Sequence, residues 1–204
     1  VLQAIIETAG RLCGAPSGVL LQIRERDDRF SPRAGFGQSQ KTRELEGFNF
    51  ETAPGVPAAP TSASGRAYLE GRTLHIRDLA EAVQSEYPDS SAVQARNRAR
   101  TVVYVPLLRH GKPIGVLSLQ RLDVRPFTEQ QIALLETFAD QAVIAIENAR
   151  LFQEIRDRVE ELTALGEVGE AVSSSLDLQE VLTTIVSHAT RLAQADGGTI
   201  YELD

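Results

Sequence analysis

The sequence contains no methionine among its 204 residues, not even at position 1, and only one cysteine, Cys13. We therefore expect it to be a piece excised from a longer polypeptide. A single cysteine excludes a disulfide within the chain and is typical of a reducing compartment, so we expect a cytoplasmic protein. No segment approaches the roughly 20 consecutive apolar residues of a membrane-spanning helix, which argues against direct membrane contact.

Positive charge is also scarce. The chain has 21 basic and 28 acidic residues, a formal net charge of −7 and a pI near 5.1. A dedicated nucleic-acid-binding protein carries a basic surface, so we expect no nucleic-acid partner. The hydrophobic fraction of 42% is ordinary for a globular protein with one main core.

Common catalytic motifs are missing as well. The sequence has no P-loop, no dinucleotide-binding glycine triad and no Gly-x-Ser-x-Gly. Its three histidines, His75, His110 and His188, do not stand beside acids at the spacing of metal ligands. We therefore predict no catalytic residue and no metal site in this chain.

The N-terminal half is predicted to alternate helix and strand. Residues 1–13 form an amphipathic stripe that includes Cys13, which we interpret as a small core residue rather than a nucleophile. Alternating apolar residues predict a strand from Val19 and another from about Phe30. The segment 37–60 is rich in Pro, Ala, Gly and Ser and is predicted to be a loop.

A hairpin gives the strongest strand signal. In RTVVYVPLLRHGKPIGVLSLQR, two nearly continuous apolar runs flank a polar turn at 109–112, which predicts inner strands covered on both faces. We expect His110 to be an exposed turn residue. The polar segment 79–99, interrupted by Pro88, is predicted to be a mobile helix or loop.

The pattern changes to a helical period after Pro126 and keeps it as far as Val172 without a proline. Thr128 is the predicted N-cap, with Gln131 at the capping-box position. From Phe152 onward, apolar residues recur at intervals of 3 or 4, the seam of a coiled coil with a stammer near Leu165. We therefore predict a homodimer through the 128–172 helix.

The last 24 residues repeat the first 24 at a constant offset of 180, with 8 positions identical. Ordinary composition predicts roughly one or two such matches. The repeat predicts that the chain begins a second module of the same kind.

Several stretches together resemble a GAF domain: SGRAYLEGRTLHIRDL from Ser64, VPL at 105–107, PIGVL at 113–117, PFT at 126–128 and FADQ at 138–141. The chain is most similar to the tandem GAF modules of bacterial sensor histidine kinases and related signalling proteins. The resemblance implies an α+β fold. A central antiparallel sheet of about six strands would carry a bundle of the terminal helices on one face and a pocket on the other.

The resemblance, the helical pattern and the repeat predict three parts. Residues 1–155 are a GAF domain, 152–175 a signalling connector helix, and 176–204 the truncated start of a second GAF domain with its first helix and strand. The expected function is a non-catalytic sensor module of a multidomain signalling protein, a sensor histidine kinase, that binds a small molecule between the segments 37–60 and 79–99. The resemblance implies these ligand-binding residues: Ser64, Arg66, Arg100, Tyr104 and Ser118.

The ligand or cofactor stays unknown. GAF domains that bind cyclic nucleotides carry Asn-Lys, Phe and Asp-Glu, whereas this chain has Gln120-Arg121, Phe127 and Gln131-Ile132, so only the Phe is kept. Cys13 does not match the cysteine that tethers bilins in phytochrome-type GAF domains.

Two alternatives remain open. The first is a ligand-free GAF module that serves as a dimerisation spacer of a nucleotide or diguanylate cyclase. The second is a free methionine sulfoxide reductase, which is disfavoured because a self-contained cycle needs a second thiol.

Overall fold

The computed structural model describes residues 1–24, 26–37, 56–174 and 178–201, and the chain divides into two compact units, Val1–Glu147 and Asn148–Asp204. The first elements are α1 (Leu2–Leu12), β1 (Ser17–Arg24), β2 (Arg29–Phe36), β3 (Val56–Pro57), α2 (Ala63–Glu70), β4 (Leu74–Ile76) and α3 (Leu79–Ala82). A 3₁₀ turn (Pro88–Ser90), α4 (Ser91–Asn97), β5 (Thr101–Arg109), β6 (Lys112–Arg121), α5 (Glu129–Ser174) and α6 (Leu178–Leu192) follow.

The six strands form one antiparallel sheet in the order β3-β2-β1-β6-β5-β4. The predicted hairpin is β5–β6, and it supplies two of the inner strands. Its turn places His110 at φ 49° and Gly111 at φ 78°, the left-handed conformation that a two-residue hairpin turn requires. His110 is exposed, as the sequence predicted.

Side chains alternate between the two faces of this sheet, and each face has its own core. On the terminal-helix face, α1 and the first part of α5 pack on the sheet around Val103, Leu117 and Leu119. On the short-helix face, α2, α3 and the segment before α4 pack around Val102 and Val116. The α+β architecture predicted by the resemblance to GAF domains is confirmed.

Most of the segment 79–99 is folded, whereas the sequence favoured a mobile helix or loop. It contains α3, the 3₁₀ turn and α4, and it is anchored by the buried side chains of Leu79, Val83 and Tyr87. Asp78 caps α3 by accepting a hydrogen bond from the amide of Ala80 at 3.1 Å. Single buried side chains at irregular intervals do not produce a periodic apolar pattern, so the sequence did not reveal that this segment is folded. Most of the predicted 37–60 loop lies outside the described residues, but β3 adds a short strand near its end.

The long helix begins at the predicted capping box. The Thr128 amide donates to Gln131 Oε1 at 3.1 Å, and the Gln131 amide donates to Thr128 Oγ1 at 3.2 Å. The following turns bury Leu135, Ala139 and Ala142 against the sheet. The apolar positions from Leu151 to Leu165 are 43–70% exposed. The first part of the predicted dimer helix is therefore already used within its own domain.

Within the described ranges, no helix has both the length and the apolar character needed to cross a membrane.

Candidate functional site

A row of buried polar side chains crosses the short-helix face of the sheet. Ser17 on β1 is paired with Gln120 on β6, and Ser118 is paired with Tyr104 on β5. Cross-strand partners share a face, so these four residues lie together. All are buried, at 1%, 5%, 3% and 8% exposure in that order. We call these four residues the polar row.

One end of the polar row is held by hydrogen bonds. Gln120 Nε2 donates to Ser17 Oγ at 3.3 Å, and Ser17 Oγ donates to the carbonyl of Phe36 at 3.1 Å. At the other end, the hydroxyls of Tyr104 and Ser118 have no hydrogen-bond partner among the described residues. The two side chains are largely buried, but neither hydroxyl oxygen is a fully enclosed atom without a partner, so both oxygens can form a hydrogen bond with another molecule.

The phenol of Tyr104 is a neutral donor. Burial raises its pKa well above the usual range, and the nearby Tyr87 acts in the same direction. At physiological pH the group therefore donates one hydrogen bond and accepts others without carrying charge.

Arg66 reaches the same face from α2. Its guanidinium lies over the ring of Tyr87, 4.8 Å from the centroid, and its Nε donates to the carbonyl of Pro60 at 3.1 Å. Tyr87 is 3% exposed. Arg66, Tyr87 and Tyr104 thus form a connected group, and the first of them supplies positive charge beside the polar row.

The other two predicted ligand-binding residues are placed differently. Ser64 is half-buried on α2. Arg100 forms a two-point ion pair with Asp78, in which its Nε lies 2.8 Å from Oδ1 and its Nη2 contacts Oδ2. That pair joins the start of β5 to the cap of α3, so Arg100 has a structural partner and does not join Tyr104 and Ser118.

Sequence reasoning missed Ser17, Gln120 and Tyr87 as candidate site residues. Ser118 and Gln120 interrupt the apolar run of β6 two positions apart, and that spacing was the available signal because it places both on one face. Ser17 could not be found in this way, since only the pairing of β1 with β6 brings it to Gln120.

The residue after Gln120 faces the other side of the sheet and joins several elements. Arg121 is 1% exposed. Its Nη2 donates to the carbonyl of Cys13 at 2.6 Å, and its Nη1 donates to the carbonyls of Arg125 and Pro126 at 2.7 and 2.9 Å. The guanidinium therefore ties the end of α1 to the segment that leads into α5.

Three positions of the cyclic-nucleotide pattern, namely Arg121, Phe127 and Gln131, meet at this same place. Arg121 lies over the ring of Phe127, 3.9 Å from the centroid, and its Nη2 contacts Gln131 Oε1 at 3.3 Å. Among the described residues, Arg121 forms no ion pair, and its Nε is the one fully buried side-chain nitrogen or oxygen without a hydrogen bond. In this chain Arg121, Phe127 and Gln131 form a junction between strand and helix on the face opposite the polar row.

His75 on β4 supports that junction. Its Nε2 accepts a hydrogen bond from the Phe127 amide at 3.1 Å, and the two rings pack edge to face at 5.9 Å. Burial lowers the pKa of His75, and the charges of Arg121 and Arg77 lower it further. The neutral imidazole is therefore the form that holds the entry to α5.

The family model described as GAF domain matches residues 1–147. The chain belongs to the GAF domain family. Modules of this family are generally regulatory rather than catalytic. Within the described part of this GAF domain, no group of three or more His, Cys, Asp or Glu side chains is arranged to hold a metal ion.

A part of one curated protein is similar to this GAF domain. It is similar to the formate hydrogenlyase transcriptional activator FhlA of Escherichia coli K12, at 30% identity over 108 residues, which are 49% of this chain and 16% of that protein. The chain thus matches only a small part of that relative.

Two solved structures share the fold. One is a domain of a two-component sensor histidine kinase protein from Sinorhizobium meliloti 1021, with a TM-score of 0.56, 16% identity and coverage of 76% of this chain and 94% of that one. The other is a methyl-accepting chemotaxis protein fragment, with a TM-score of 0.60, 21% identity and coverage of 74% and 90%.

The His75 contact predicts a pH-dependent stability. Because folding lowers the pKa of His75, the unfolded chain binds more protons below about pH 6.5, and the folded state loses stability as the pH falls. We expect the urea midpoint to decrease between pH 7.5 and pH 5.5, and His75→Gln to reduce that decrease. His110→Gln, at the exposed turn, is the matched control and should keep the slope of the parent protein. Equal slopes in all three proteins would contradict this role of His75.

The Arg121 contacts predict a large stability effect. Arg121→Met removes the side-chain donor of the partly buried Arg125 and Pro126 carbonyls and one of the two side-chain donors of the Cys13 carbonyl, and we expect the free energy of unfolding to fall by about 3 kcal/mol. Cys13 is the chain's only cysteine and is fully buried, so its reaction with a thiol reagent should accelerate in the same variant. Arg125→Met removes an exposed guanidinium and should change neither quantity much. A Cys13 thiol that stays protected in Arg121→Met would show that Arg121 does not hold the end of α1.

Proposed function

We propose that this GAF domain is the ligand-sensing input module of a cytoplasmic, multidomain bacterial signalling protein, with a sensor histidine kinase as the leading form. The observation that carries the proposal is the pair of hydroxyls on the largely buried side chains of Tyr104 and Ser118, which form no hydrogen bond with another described residue. The likeness to modules of a sensor kinase, a chemotaxis protein and a transcriptional activator supports the broader signalling role.

The surroundings of the hydroxyl pair define the kind of ligand. Tyr104 and Ser118 offer hydrogen bonds, while Val102, Val116 and Ile76 in the same cluster are apolar. A small molecule with a polar group against the hydroxyls and an apolar part against these side chains satisfies both. Arg66 adds affinity for a ligand that carries a negative group.

β6 provides the route from the ligand to the helices. Ser118 and Gln120 face the proposed ligand, and Arg121 on the same strand faces α1 and α5. A shift of β6 on ligand binding would therefore move the guanidinium that fastens the end of α1 to the start of α5. Coupling through a packed element of this kind needs only a small displacement.

The second part of α5 is the proposed dimer interface. Phe152, Ile155, Val159 and Leu162 are 55–70% exposed and lie at intervals of 3 and 4 residues. Each would contribute roughly 1.5–3 kcal/mol if it were fully buried. A second copy of the same seam buries all four residues in register, so we infer a homodimer that carries the signal through this helix.

Two other functions use the same fold. In a ligand-free spacer, for example of a nucleotide or diguanylate cyclase, the hydroxyl pair would have no role and the helical seam would be the functional part. An input module of a transcriptional activator is the second candidate, favoured by the match to FhlA. The ligand test below separates sensor from spacer, and the output domain decides between kinase, cyclase and activator.

The hydroxyl pair predicts opposite effects on binding and stability. We expect natively purified protein to retain a metabolite by mass spectrometry, and Tyr104→Phe with Ser118→Ala to weaken its binding about 10- to 100-fold through the loss of two hydrogen bonds. The ligand-free double variant should be as stable as the parent or more stable, since the hydroxyls that it removes form no hydrogen bond with another described residue. Tyr201→Phe with Ser85→Ala is the matched control at exposed positions. If nothing is retained and no member of a metabolite panel raises the melting temperature, the spacer function is correct.

The seam predicts how charge changes the assembly. Phe152→Asp with Val159→Asp should convert dimers to monomers in sedimentation equilibrium, because carboxylates in the seam would be desolvated beside each other. Gln153→Asp adds one such charge beside Phe152 but outside the seam, and should leave the dimer intact. A parent protein that sediments as a monomer would refute the interface.

A further inference from the structure

The end of α1 and the end of α6 have the same backbone geometry. After α1, the amides of Cys13, Gly14 and Ala15 donate to the carbonyls of Ala9, Arg11 and Gly10 at 2.9, 3.4 and 2.9 Å. After α6, the amides of Ala193, Gln194 and Ala195 donate to the carbonyls of Ala189, Arg191 and Thr190 at 2.9, 3.2 and 3.0 Å. Every donor and acceptor is displaced by 180 positions, the offset of the sequence repeat.

The two turns also share their unusual residue. Gly14 has φ 60° and Gln194 has φ 51°, the left-handed conformation that closes a helix by a Schellman-type turn. Glutamine rarely adopts this conformation, so its presence at the equivalent position shows that the turn is kept even without glycine.

The burial of the two units differs. Ala9, Cys13 and Leu20 are fully buried against the core of the first domain. Their equivalents Ala189 and Ala193 are exposed, and Ile200 is 42% exposed. Residues 197–201 pair with no strand in the described part of the chain, whereas their equivalents 17–21 belong to β1. α6 has the apolar pattern of α1, but the described residues of the second unit contain no sheet for that pattern to cover.

Two contacts fit α1 to its own sheet. The Gln3 side chain donates to the Gly35 carbonyl at 2.9 Å and accepts from the Gly35 amide at 3.2 Å. Gly10 leaves room for the Phe36 ring, which would overlap any Cβ at that position. α6 has threonine at both equivalents, Thr183 and Thr190, so it can neither make the first contact nor accommodate the ring.

We propose that residues 178–201 are the first helix and strand of a second module of the same fold, and that the face of α6 with Leu182, Ile185, Val186, Ala189 and Ala193 covers that module's own sheet. Each helix is matched to its own sheet by two residues: Gln3 and Gly10 in α1, and Thr183 and Thr190 in α6. The second sheet has a small side chain where the first has Phe36. This goes beyond the proposed sensing function, because it concerns a second module and not the ligand.

The test exchanges the helices within the full chain. Residues 1–16 are replaced by a copy of residues 181–196, once unchanged and once with Thr183→Gln and Thr190→Gly in the copy. We expect the unchanged copy to abolish or strongly lower the cooperative urea transition of the first domain. The fitted copy should restore the transition to near the midpoint of the parent protein.

Each other outcome overturns the proposal. If both copies restore the transition, α6 fits the first sheet, and an exchange of helices between copies of this chain explains its apolar face. If neither copy does, α6 is not a helix of the α1 type.

Point variants of α1 test the same two positions without exchanging the helices. Gln3→Thr and Gly10→Thr each introduce the α6 residue and should lower the midpoint, the second more than the first. Ala4→Thr introduces the α6 residue at an exposed position and should not. Equal midpoints for Gly10→Thr and Ala4→Thr would refute the assignment by residue 10.

Discussion

The first domain depends on one buried cation without an acidic partner. Two nitrogens of the Arg121 guanidinium donate to the carbonyls of Cys13, Arg125 and Pro126, and the group lies over the ring of Phe127. The Cys13 carbonyl is at the C-terminal end of α1, where carbonyl oxygens carry partial negative charge, and this charge takes the place of a carboxylate. Because the guanidinium has several N–H groups, Arg121 can bond two segments at once. It therefore fixes the last turn of α1 and the entry to α5 relative to the end of β6.

The alternation of side chains along β6 connects this junction to the polar row on the opposite face of the sheet. Ser118 and Gln120 belong to the polar row, and Arg121 belongs to the opposite face. A strand in the interior of the sheet cannot move on one face alone, because its backbone is bonded to β1 and β5 on both sides. The proposed ligand, bound to the hydroxyls of Tyr104 and Ser118 on one face, would therefore act on the Arg121 junction on the other.

The C-terminal unit repeats the pattern of the first helix. The amphipathic stripe and the closing turn are common to α1 and α6. At two positions where α1 contacts its sheet, Gln3 and Gly10, α6 has threonine. Apolar packing provides most of the binding energy but little selectivity, and a backbone hydrogen bond or a clash with a ring provides the selectivity.

The sequence by itself determined the features that depend on neighbouring residues: the α1 stripe with Cys13 inside it, the β5–β6 hairpin, the Thr128–Gln131 capping box and the exposed seam from Phe152. Only the tertiary structure decided which polar residues meet. Ser17 reaches Gln120 across 103 positions, Arg100 turns to Asp78, and Arg121, Phe127 and Gln131 form a junction. These contacts depend on strand order and register, which a linear pattern of apolar and polar residues does not specify.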